Sequence, residues 1–248
     1  MLVLVTGASA GFGEAIARRF VSEGHQVILL ARREERLRGL SQELGEACVK
    51  TLACDVADIE EIKNELGEYA QKIDVLVNNA GLALGVEPFD VCLREDFEEM
   101  IETNILGVVR LTHYLLPFMV ERGSGHIINL GSIAGNYPYP GGNVYGGTKA
   151  FLKQFSLNLR ADLVDKNIRV SNIEPGLCGG SEFSVVRFKG DQKRADELYE
   201  NAYPLLPQDI AESVYWIASL PSHININSIE LMPTTQAFSA FRVCKKQS

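Results

Sequence analysis

The sequence predicts an α/β fold in which one doubly wound sheet of seven parallel strands is covered by helices on both faces. Short, continuously apolar runs alternate along the chain with longer segments whose apolar residues recur at helical spacing. Continuous apolarity is typical of parallel strands, which are buried on both faces. These elements use almost all of the 248 residues. We therefore expect a single domain over residues 1–248.

The first half of the chain contains four predicted strands and three predicted helices. The strands lie at residues 2–6, 26–30, 49–54 and 74–78, and the helices at 11–23, 34–44 and 58–70. Gly24 and Gly45 follow the first two helices, where a terminating glycine is common. Asp58 and Glu61 have the spacing of a capping box, which predicts where the third helix begins.

The second half continues the alternation with one exception. Strands are predicted at 126–130, 169–173 and 228–232, and helices at 94–121, 143–166 and 208–219. The segment Gly176–Pro207 follows a strand, carries mixed charge and has weak periodicity. An irregular segment of this length in a compact domain is usually functional. We therefore expect residues 177–207 to form a substrate-binding lid within the domain.

Composition excludes several classes of protein. The net charge of −8 is unsuited to binding nucleic acid or an anionic membrane. No apolar run approaches the roughly 18 residues of a membrane span, and the first residues lack the features of a signal peptide. The five cysteines form no CxxC spacing and the four histidines are scattered, which predicts reduced thiols, a cytoplasmic location and no metal site.

A glycine-rich turn joins the first strand to the first helix. It reads Thr6-Gly-Ala-Ser-Ala-Gly-Phe-Gly13. Glycines allow a tight turn and let backbone N–H groups approach a pyrophosphate at the positive end of a helix. A glycine turn alone is weak support, because a simple strand-to-helix turn looks similar. The strand before it and the helix after it favour a dinucleotide site.

The end of the second strand predicts which dinucleotide is bound. A site for NAD places an acidic residue there, about 20 residues beyond the glycines. This chain has Arg32 and Arg33 instead. Guanidinium groups pair with phosphate in bidentate fashion, so the position predicts NADP, whose ribose carries a 2′-phosphate. In the alternative interpretation both arginines are solvated residues at the start of the next helix.

Three residues further along predict chemistry on carbonyl and alcohol groups. Tyr145 and Lys149 are four apart in a helical segment and so share one face. A nearby ammonium lowers the pKa of a tyrosine from about 10 toward the working range of a general acid or base. Ser132 follows a strand at the edge where parallel sheets bind ligands. A Tyr-x-x-x-Lys spacing alone is common on protein surfaces, and its weight comes from the other motifs.

These motifs together resemble the short-chain dehydrogenase/reductase family of the compact type, which has a Rossmann fold. The glycine turn, Asp55-Val56, Asn78-Asn-Ala-Gly81, Asn104, Ser132, Tyr145-Gly-Gly-Thr-Lys149 and Glu174-Pro-Gly176 occur in the family's order over essentially the whole chain. The resemblance implies the cofactor contacts. They are Gly7, Ser9, Ala10, Gly11, Phe12 and Gly13 at the pyrophosphate, Arg32 and Arg33 at the 2′-phosphate, Asp55 and Val56 at the adenine, Asn79, Ala80 and Gly81 along the cofactor, and Pro175, Gly176 and Leu177 at the nicotinamide.

The resemblance also implies the catalytic roles. Tyr145 is the general acid/base, and Ser132 orients the substrate carbonyl. Lys149 holds the nicotinamide ribose and lowers the pKa of Tyr145. The resemblance implies that Tyr145 and Lys149 both contact the cofactor as well. Asn104 supports Lys149 through a water relay. The family is usually tetrameric, which implies a homotetramer, and the apolar tail Phe238–Val243 is a further candidate for packing on a neighbouring subunit.

Three stretches resemble one bacterial subgroup of this family more closely. They are residues 79–85, residues 141–145 and residues 174–191. The subgroup comprises NADP-dependent 3-hydroxy acid dehydrogenases, also described as serine or allo-threonine dehydrogenases. Cys178 departs from it, where an aliphatic residue is expected. The resemblance implies a small 3-hydroxy acid as substrate.

A 3-hydroxy acid needs a cation near Tyr145 to pair with its carboxylate. Arg187, in the lid, is the candidate, and Lys189 is the reserve. In the alternative interpretation the lid is solvated and Arg187 bonds Glu182 or Asp191. Tyr137-Pro-Tyr-Pro140 is predicted to form a pocket wall or simply a rigid loop.

Two other functions remain open at this point. The first is an NADP-dependent reductase of 3-oxoacyl thioesters or other small ketones. The second is a non-catalytic nucleotide-sensing module, which predicts a broken catalytic set. All four of Asn104, Ser132, Tyr145 and Lys149 are present, which favours an enzyme.

Overall fold

Seven parallel strands form one sheet in the computed structural model, which describes residues 1–237 of the chain. The strands are β1 (Leu2–Thr6), β2 (Gln26–Leu30), β3 (Cys48–Leu52), β4 (Val75–Asn78), β5 (Gly125–Leu130), β6 (Ile168–Pro175) and β7 (Ser228–Leu231). Their order across the sheet is β3-β2-β1-β4-β5-β6-β7, and each neighbouring pair is parallel. The predicted fold class is confirmed.

Nine α-helices lie between the strands in the described part of the chain. They are α1 (Gly11–Ser22), α2 (Glu34–Leu44), α3 (Ile59–Leu66), α4 (Arg94–Ile101), α5 (Val108–Arg122), α6 (Asn143–Asp162), α7 (Phe183–Arg187), α8 (Gln192–Tyr199) and α9 (Pro207–Ser219). The signals at three of their ends act as predicted. Gly24 and Gly45 follow α1 and α2 with positive φ, and the side chain of Asp58 accepts a hydrogen bond from the backbone N–H of Glu61.

Both faces of the sheet are buried because the strand side chains alternate between two cores. Val3 and Val5 of β1 point into a core that contains Phe20 of α1 and residues of α9. Leu2 and Leu4 point into the opposite core, which contains residues of α3 and α5. Each face of the sheet thus removes apolar surface from water, which is the main stabilising contribution to a fold of this kind.

The predicted helix at 94–121 is a composite element. A π-helical turn, Glu102–Gly107, separates α4 from α5. One residue per turn is added there, and such turns are frequent at functional sites. This turn contains Asn104, whose side chain is fully buried. Apolar periodicity alone does not reveal the extra residue, because the helical segment continues without a break from α4 through this turn into α5.

Other differences concern element ends and the lid. The predicted helix at 143–166 ends at Asp162, and the chain turns toward β6 through Asn167 with φ 58°. The predicted helix at 58–70 ends at Leu66 and continues as a tighter 3₁₀ turn, Gly67–Lys72. The lid was predicted to be irregular but contains α7 and α8. Helices this short show little periodicity, so their signal was lost. Cys244 and the tail Phe238–Val243 lie outside the described residues.

The strand order places a topological switch point between β1 and β4. From β1 the chain moves outward through β2 to β3, and then returns to β4 on the other side of β1. In open α/β sheets, a crevice forms at such a point, outside the carboxyl ends of the strands. The glycine turn follows β1, so it lies at this crevice.

Candidate active site

A cavity of about 650 Å³ lies at the carboxyl edge of the sheet. Gly7, Asn79, Gly131 and Gly176, which follow β1, β4, β5 and β6, all line it. It is also lined by Ser132, Arg187 and nearly all of the predicted cofactor-binding residues: Ser9, Ala10, Gly11, Phe12, Arg32, Arg33, Asp55, Val56, Ala80, Gly81, Tyr145, Lys149, Pro175 and Leu177. The two predicted residues behind the wall are Gly13 and Asn104.

The glycine turn has a backbone shape that side chains would obstruct. Gly7 has φ +65°, and a Cβ atom there would lie 2.9 Å from the Cα of Ala80. A Cβ on Gly13 would lie 2.3 Å from the carbonyl oxygen of Gly7. Gly13 therefore allows α1 to pack closely under the turn. The N-terminus of α1, with its free N–H groups, thus faces the cavity, as an anion site requires.

Thr6 is a residue that the sequence prediction missed. Its hydroxyl accepts hydrogen bonds from the backbone N–H groups of Asn79 (3.0 Å) and Ala80 (2.9 Å) and donates one to the carbonyl of Val77. The Asn79 side chain returns a hydrogen bond to the carbonyl of Thr6 at 2.8 Å. These bonds fix the chain after β4 against the glycine turn, at the floor of the cleft.

Arg33 connects the glycine turn to the lid. Its Nε donates to the Ser9 hydroxyl at 3.1 Å, and its Nη1 lies 2.5 Å from the Glu182 carboxylate. Arg36 pairs with the other oxygen of Glu182 at 3.2 Å. The hydrogen bond from Arg33 is the main reason that the pKa of Glu182 is lowered. Glu182 therefore holds two guanidinium groups at the end of the cleft where a 2′-phosphate is predicted.

Arg32 lies beside Arg33 but points toward β3. Its Nη1 is 3.8 Å from the carboxylate of Asp55 and 3.6 Å from that of Glu99. The Asp55 side chain accepts a hydrogen bond from the backbone N–H of Ala57 at 2.9 Å, which orders the turn after β3. Arg33 is also the residue that precedes α2. The positions of both arginines are therefore compatible with either interpretation drawn from the sequence.

Tyr145, Lys149 and Ser132 converge at the other end of the cleft. Tyr145 and Lys149 lie one turn apart at the start of α6, and the Lys149 Nζ is 5.8 Å from the centre of the Tyr145 ring. Lys149 donates to the carbonyl of Leu130 at 2.7 Å. The Ser132 hydroxyl lies 3.4 Å from the carbonyl oxygen of Pro175, and its proximity to Tyr145 acts to lower the pKa of that phenol. A substrate oxygen near Ser132 would be within reach of the phenol of Tyr145.

Burial shifts the titration of both groups. It raises the pKa of Tyr145, while the Ser132 hydrogen bond and the Arg187 guanidinium act in the opposite direction. Burial lowers the pKa of Lys149 to about 8. The phenol is therefore held protonated near neutral pH, as a proton donor requires. That Lys149 lowers the pKa of Tyr145 stays a prediction.

Asn104 links the backbone after Gly81 to helix α6 beside Lys149. Its Oδ1 accepts from the N–H of Leu82 at 2.9 Å, and its Nδ2 donates to the carbonyl of Leu82 at 2.8 Å and to the Thr148 hydroxyl at 3.1 Å. A Cβ on Gly81 would lie 3.2 Å from Asn104 Oδ1 and 3.5 Å from Lys149 Nζ. The π-helical turn thus brings this amide next to the lysine.

Arg187 reaches into the cleft from α7. Its Nη2 donates to the Tyr139 hydroxyl at 2.8 Å, its Nε donates to the carbonyl of Gly85 at 3.2 Å, and its guanidinium carbon is 5.7 Å from the centre of the Tyr145 ring. The alternative partners are engaged elsewhere, since Glu182 pairs with Arg33 and Asp191 caps α8.

The reserve candidate is directed elsewhere. The ammonium of Lys189 pairs with Asp96 at 2.7 Å. Tyr137 and Tyr139 both line the cavity, so the tyrosine-proline segment forms one of its walls.

The family model described as short chain dehydrogenase matches residues 1–189 of this sequence. The chain belongs to the short-chain dehydrogenase family. The resemblance inferred from the motifs is thereby confirmed.

Several members of this family are similar over nearly their whole length. An NADP-dependent 3-hydroxy acid dehydrogenase of Salmonella typhi is 58% identical over 246 residues, which cover 98% of this chain and 99% of that protein. A serine 3-dehydrogenase of Rhizobium radiobacter is 51% identical over 247 residues, covering 98% of each. The closed form of a serine dehydrogenase complexed with NADP+ superposes with a TM-score of 0.96 at 53% identity, covering 99% of this chain and 100% of that one.

The lid of this short-chain dehydrogenase and the segment beyond β7 carry site residues that sequence reasoning missed. Phe183 packs 5.9 Å from the Tyr145 ring, centre to centre, and Ser184 shares a 2.5 Å hydrogen bond with Tyr199. Gln236, from beyond β7, accepts from the N–H of Leu177 at 2.8 Å beside Gly176. All four line the cavity. Phe183 and Ser184 lie within the recognised stretch 174–191, but nothing local shows that they face Tyr145, and Tyr199 and Gln236 lie outside every recognised motif.

Residues 1–237 contain neither a cluster of metal-ligating side chains nor a membrane-spanning helix. No group of three or more His, Cys, Asp or Glu side chains in that range could hold a metal ion. No helix in that range is long and apolar enough to cross a bilayer. Cys48, Cys54, Cys92 and Cys178 are free thiols, and burial raises the pKa of Cys54 and of Cys178 to about 12.

Proposed function

We propose that this chain is an NADP-dependent oxidoreductase that transfers hydride between the nicotinamide and the 3-hydroxyl carbon of small 3-hydroxy acids. One observation carries the proposal. One cleft of this short-chain dehydrogenase holds Tyr145, Ser132 and Lys149 together, and the guanidinium of Arg187 lies 5.7 Å from the Tyr145 ring. The close relatives named as NADP-dependent 3-hydroxy acid and serine dehydrogenases support the same substrate class.

The shape of the cleft fits a dinucleotide. A Cβ atom on Gly7 or Gly13 would collide with the backbone of Ala80 or of Gly7, so these glycines permit the tight turn that directs the N-terminus of α1 toward the pyrophosphate position. Arg32 and Arg33 would hold the 2′-phosphate, and Asp55 and Val56 would flank the adenine. Asn79, Ala80 and Gly81 would lie along the middle of the cofactor, and Pro175, Gly176 and Leu177 would lie at the nicotinamide. When bound, NADP accepts or supplies the hydride.

Proton transfer belongs to Tyr145. In reduction, the buried phenol donates its proton to the carbonyl oxygen, which Ser132 holds by a hydrogen bond. In oxidation, the phenolate takes the proton of the 3-hydroxyl. The Lys149 ammonium stabilises that phenolate and holds the nicotinamide ribose. Asn104 holds the neighbouring backbone and supports Lys149 on the route by which the proton reaches solvent.

Arg187 selects for an acid. The carbonyl of Gly85 and the hydroxyl of Tyr139 hold two of its nitrogens, which fixes the direction of the guanidinium plane. The remaining N–H groups pair with a carboxylate by charge-assisted hydrogen bonds. A carboxylate two carbons from the hydroxyl carbon spans the short distance between Arg187 and Tyr145. The substrate is thereby held at both ends.

The enzyme is proposed to be a cytoplasmic homotetramer. Its relation to a family that is usually tetrameric and its free thiols support this proposal. Large apolar side chains on two long helices also support it, because Phe151 and Leu157 of α6 and Trp216 of α9 are at least one third exposed in the single chain. Light scattering coupled to size exclusion measures the mass and so tests the assembly.

An initial-rate screen tests the proposed reaction. NADP and NAD are each offered with L-serine, D- and L-threonine, their allo forms, 3-hydroxypropionate and 3-hydroxyisobutyrate, and NADPH is offered with an acetoacetyl thioester. We expect turnover of 3-hydroxy acids with NADP, and a kcat lowered at least about 100-fold in Tyr145→Phe. Higher kcat/KM for the thioester than for every acid would replace the proposal with a 3-oxoacyl thioester reductase.

A further inference from the structure

Glu174 is a buried carboxylate that the proposed reaction does not use. It lies at the carboxyl end of β6, directly before Pro175, and its side chain is 3% exposed. Its Oε1 accepts hydrogen bonds from Asn172 Nδ2 at 2.7 Å and Ser228 Oγ at 2.8 Å, and its Oε2 accepts one from Asn136 Nδ2 at 2.6 Å. A buried carboxylate needs such hydrogen-bond partners to offset the loss of its hydration. Glu174 is therefore fixed from several sides.

Asn136 is the centre of this group. It follows Ser132 by four residues, on the segment that forms the cavity wall. Its Nδ2 also lies 2.8 Å from the carboxylate of Glu230 in β7, and its Oδ1 accepts from Lys153 Nζ at 2.8 Å. The Lys153 ammonium is 3.5 Å from Glu174 and balances its charge. The Asn136 side-chain amide is thus held by residues of β6, β7 and α6.

The spacing of lysines on α6 relates this group to the catalytic residues. Tyr145, Lys149 and Lys153 are each four residues apart and so lie on one face of the helix. Lys149 bonds the carbonyl of Leu130, just before Ser132, and Lys153 bonds Asn136, just after it. Both ends of the segment that carries Ser132 are therefore tied to the helix that carries Tyr145.

Glu174 provides a third attachment for the segment that carries Ser132, this time to strand β6. The next residue, Pro175, offers its carbonyl oxygen to the Ser132 hydroxyl. Glu174 itself bonds Asn136, so one carboxylate sets the spacing between β6 and the segment after β5. The Ser132 hydroxyl lies between these attachments. Its position relative to Tyr145 is set by these bonds, of which only the one to Pro175 involves Ser132 itself.

We propose that Glu174 and Asn136 are positioning residues that hold Ser132 at its working distance from Tyr145. The proposal rests on the proposed function of the site. Transfer of a proton between fixed groups is sensitive to displacements of about 0.5–1 Å. Loss of the Glu174 and Asn136 hydrogen bonds therefore lowers turnover more than it lowers cofactor binding. Most of the proposed cofactor contacts, at the glycine turn, at Arg32 and Arg33 and at residues 79–81, lie on other segments and stay intact.

Glu174→Gln tests the proposal in the enzyme saturated with NADP. The amide has nearly the same shape but replaces one acceptor oxygen with a donor, so it faces Asn136 Nδ2 or the Asn172 and Ser228 donors with the wrong group. We expect kcat for the best 3-hydroxy acid to fall about tenfold or more, with the Kd for NADPH unchanged. Asp74→Asn is the matched control, because it makes the same chemical change at the opposite edge of the sheet. We expect it to leave kcat unchanged.

A double-mutant cycle separates positioning from a general loss of stability. If Glu174 acts through Asn136, the combined Glu174→Gln and Asn136→Ala variant loses no more kcat than the worse single variant. Independent, multiplying losses would overturn the proposal, as would a folded Glu174→Gln enzyme with wild-type kcat. Asn136→Ala is the variant that carries the test if Glu174→Gln fails to fold, and wild-type kcat in that variant also overturns the proposal.

Hydrogen exchange measured by mass spectrometry gives a readout that does not depend on the reaction. We expect faster exchange over residues 131–142 in Glu174→Gln than in the wild type, with unchanged exchange over the glycine turn. Unchanged exchange over residues 131–142 would overturn the positioning role. A wild-type enzyme that oxidises no 3-hydroxy acid would refute the proposed function alone, because the exchange comparison would still stand.

Discussion

Arg187→Ala should discriminate between acidic and neutral substrates of this enzyme. The change removes the guanidinium from the cleft, together with its bonds to Gly85 and Tyr139. A charge-assisted hydrogen bond contributes about 1.5–3 kcal/mol, and about 1.4 kcal/mol corresponds to a tenfold change. The kcat/KM for a 3-hydroxy acid should therefore fall about 10- to 100-fold through loss of the carboxylate contact.

Comparison with a neutral substrate isolates that contact. Loss of the Gly85 and Tyr139 bonds loosens the lid for every substrate, so it affects a small neutral ketone and a 3-oxo acid alike. The quantity to measure is the ratio of the two losses in kcat/KM, from initial rates with NADPH. We expect the loss for the acid to exceed that for the ketone by about tenfold or more.

Two variants act as controls for this ratio. Arg187→Lys keeps the charge but not the planar fork, so it should recover part of the preference for acids. Lys189→Gln removes a neighbouring cation that pairs with Asp96, and it should leave the ratio unchanged. Equal losses for acid and ketone in Arg187→Ala would refute the assignment of the carboxylate to Arg187.

Four other changes test the rest of the site. Tyr145→Phe removes the transferred proton but keeps the ring, so kcat should fall about 10²- to 10⁴-fold. The affinity for NADPH, measured by fluorescence, should stay unchanged. Retained turnover would exclude the phenol as the general acid/base. Arg33→Ala should lower the ratio of kcat/KM with NADP to that with NAD by about tenfold or more, and an unchanged ratio would place the 2′-phosphate elsewhere. Gly13→Ala puts a Cβ 2.3 Å from a backbone oxygen and should lower the free energy of unfolding by about 1–3 kcal/mol. Gly39→Ala has no atom within 4 Å of the new Cβ and should not lower the free energy of unfolding. Urea unfolding of the two variants measures the difference. Because burial lowers the pKa of Lys149 from its ordinary value of 10.5 to about 8, the folded protein loses this proton at a lower pH than the unfolded chain. The free energy of unfolding of the wild type should therefore rise relative to Lys149→Met as pH increases from 8 toward 10, and a constant difference would contradict the shift.

The fold class was predictable because local signals and the buried sheet agree. Strands such as Leu2–Thr6 are apolar at every central position, and glycines or caps mark the adjoining helix ends. Such patterns arise within a few residues, so the sequence displays them directly. The predicted elements were wrong in two situations. At Glu102–Gly107 tertiary contacts produce a π-helical turn that the apolar periodicity does not show, and Phe183–Arg187 is a helix too short to show a period.

Residues next to a motif were easier to predict than residues that approach the site from a distance. The glycine turn, Tyr145 and Lys149 each follow a recognisable element, and all line one cleft. Glu182 reaches Arg33 across 149 positions of sequence, and Gln236 reaches Leu177 across 59. No local pattern encodes such pairs, because they depend on how the lid and the chain beyond β7 fold back over the sheet.

The sequence by itself determined the parallel sheet, the glycine turn at its switch point and the residue types available for catalysis. The tertiary structure decided which of these groups meet. It directs Arg187 toward Tyr145 and Lys189 toward Asp96, although the two cations are neighbours in the lid. It also brings Glu174 to Asn136 beside Ser132. Chemical type is a property of each residue, whereas distance and burial depend on the packing of the whole chain.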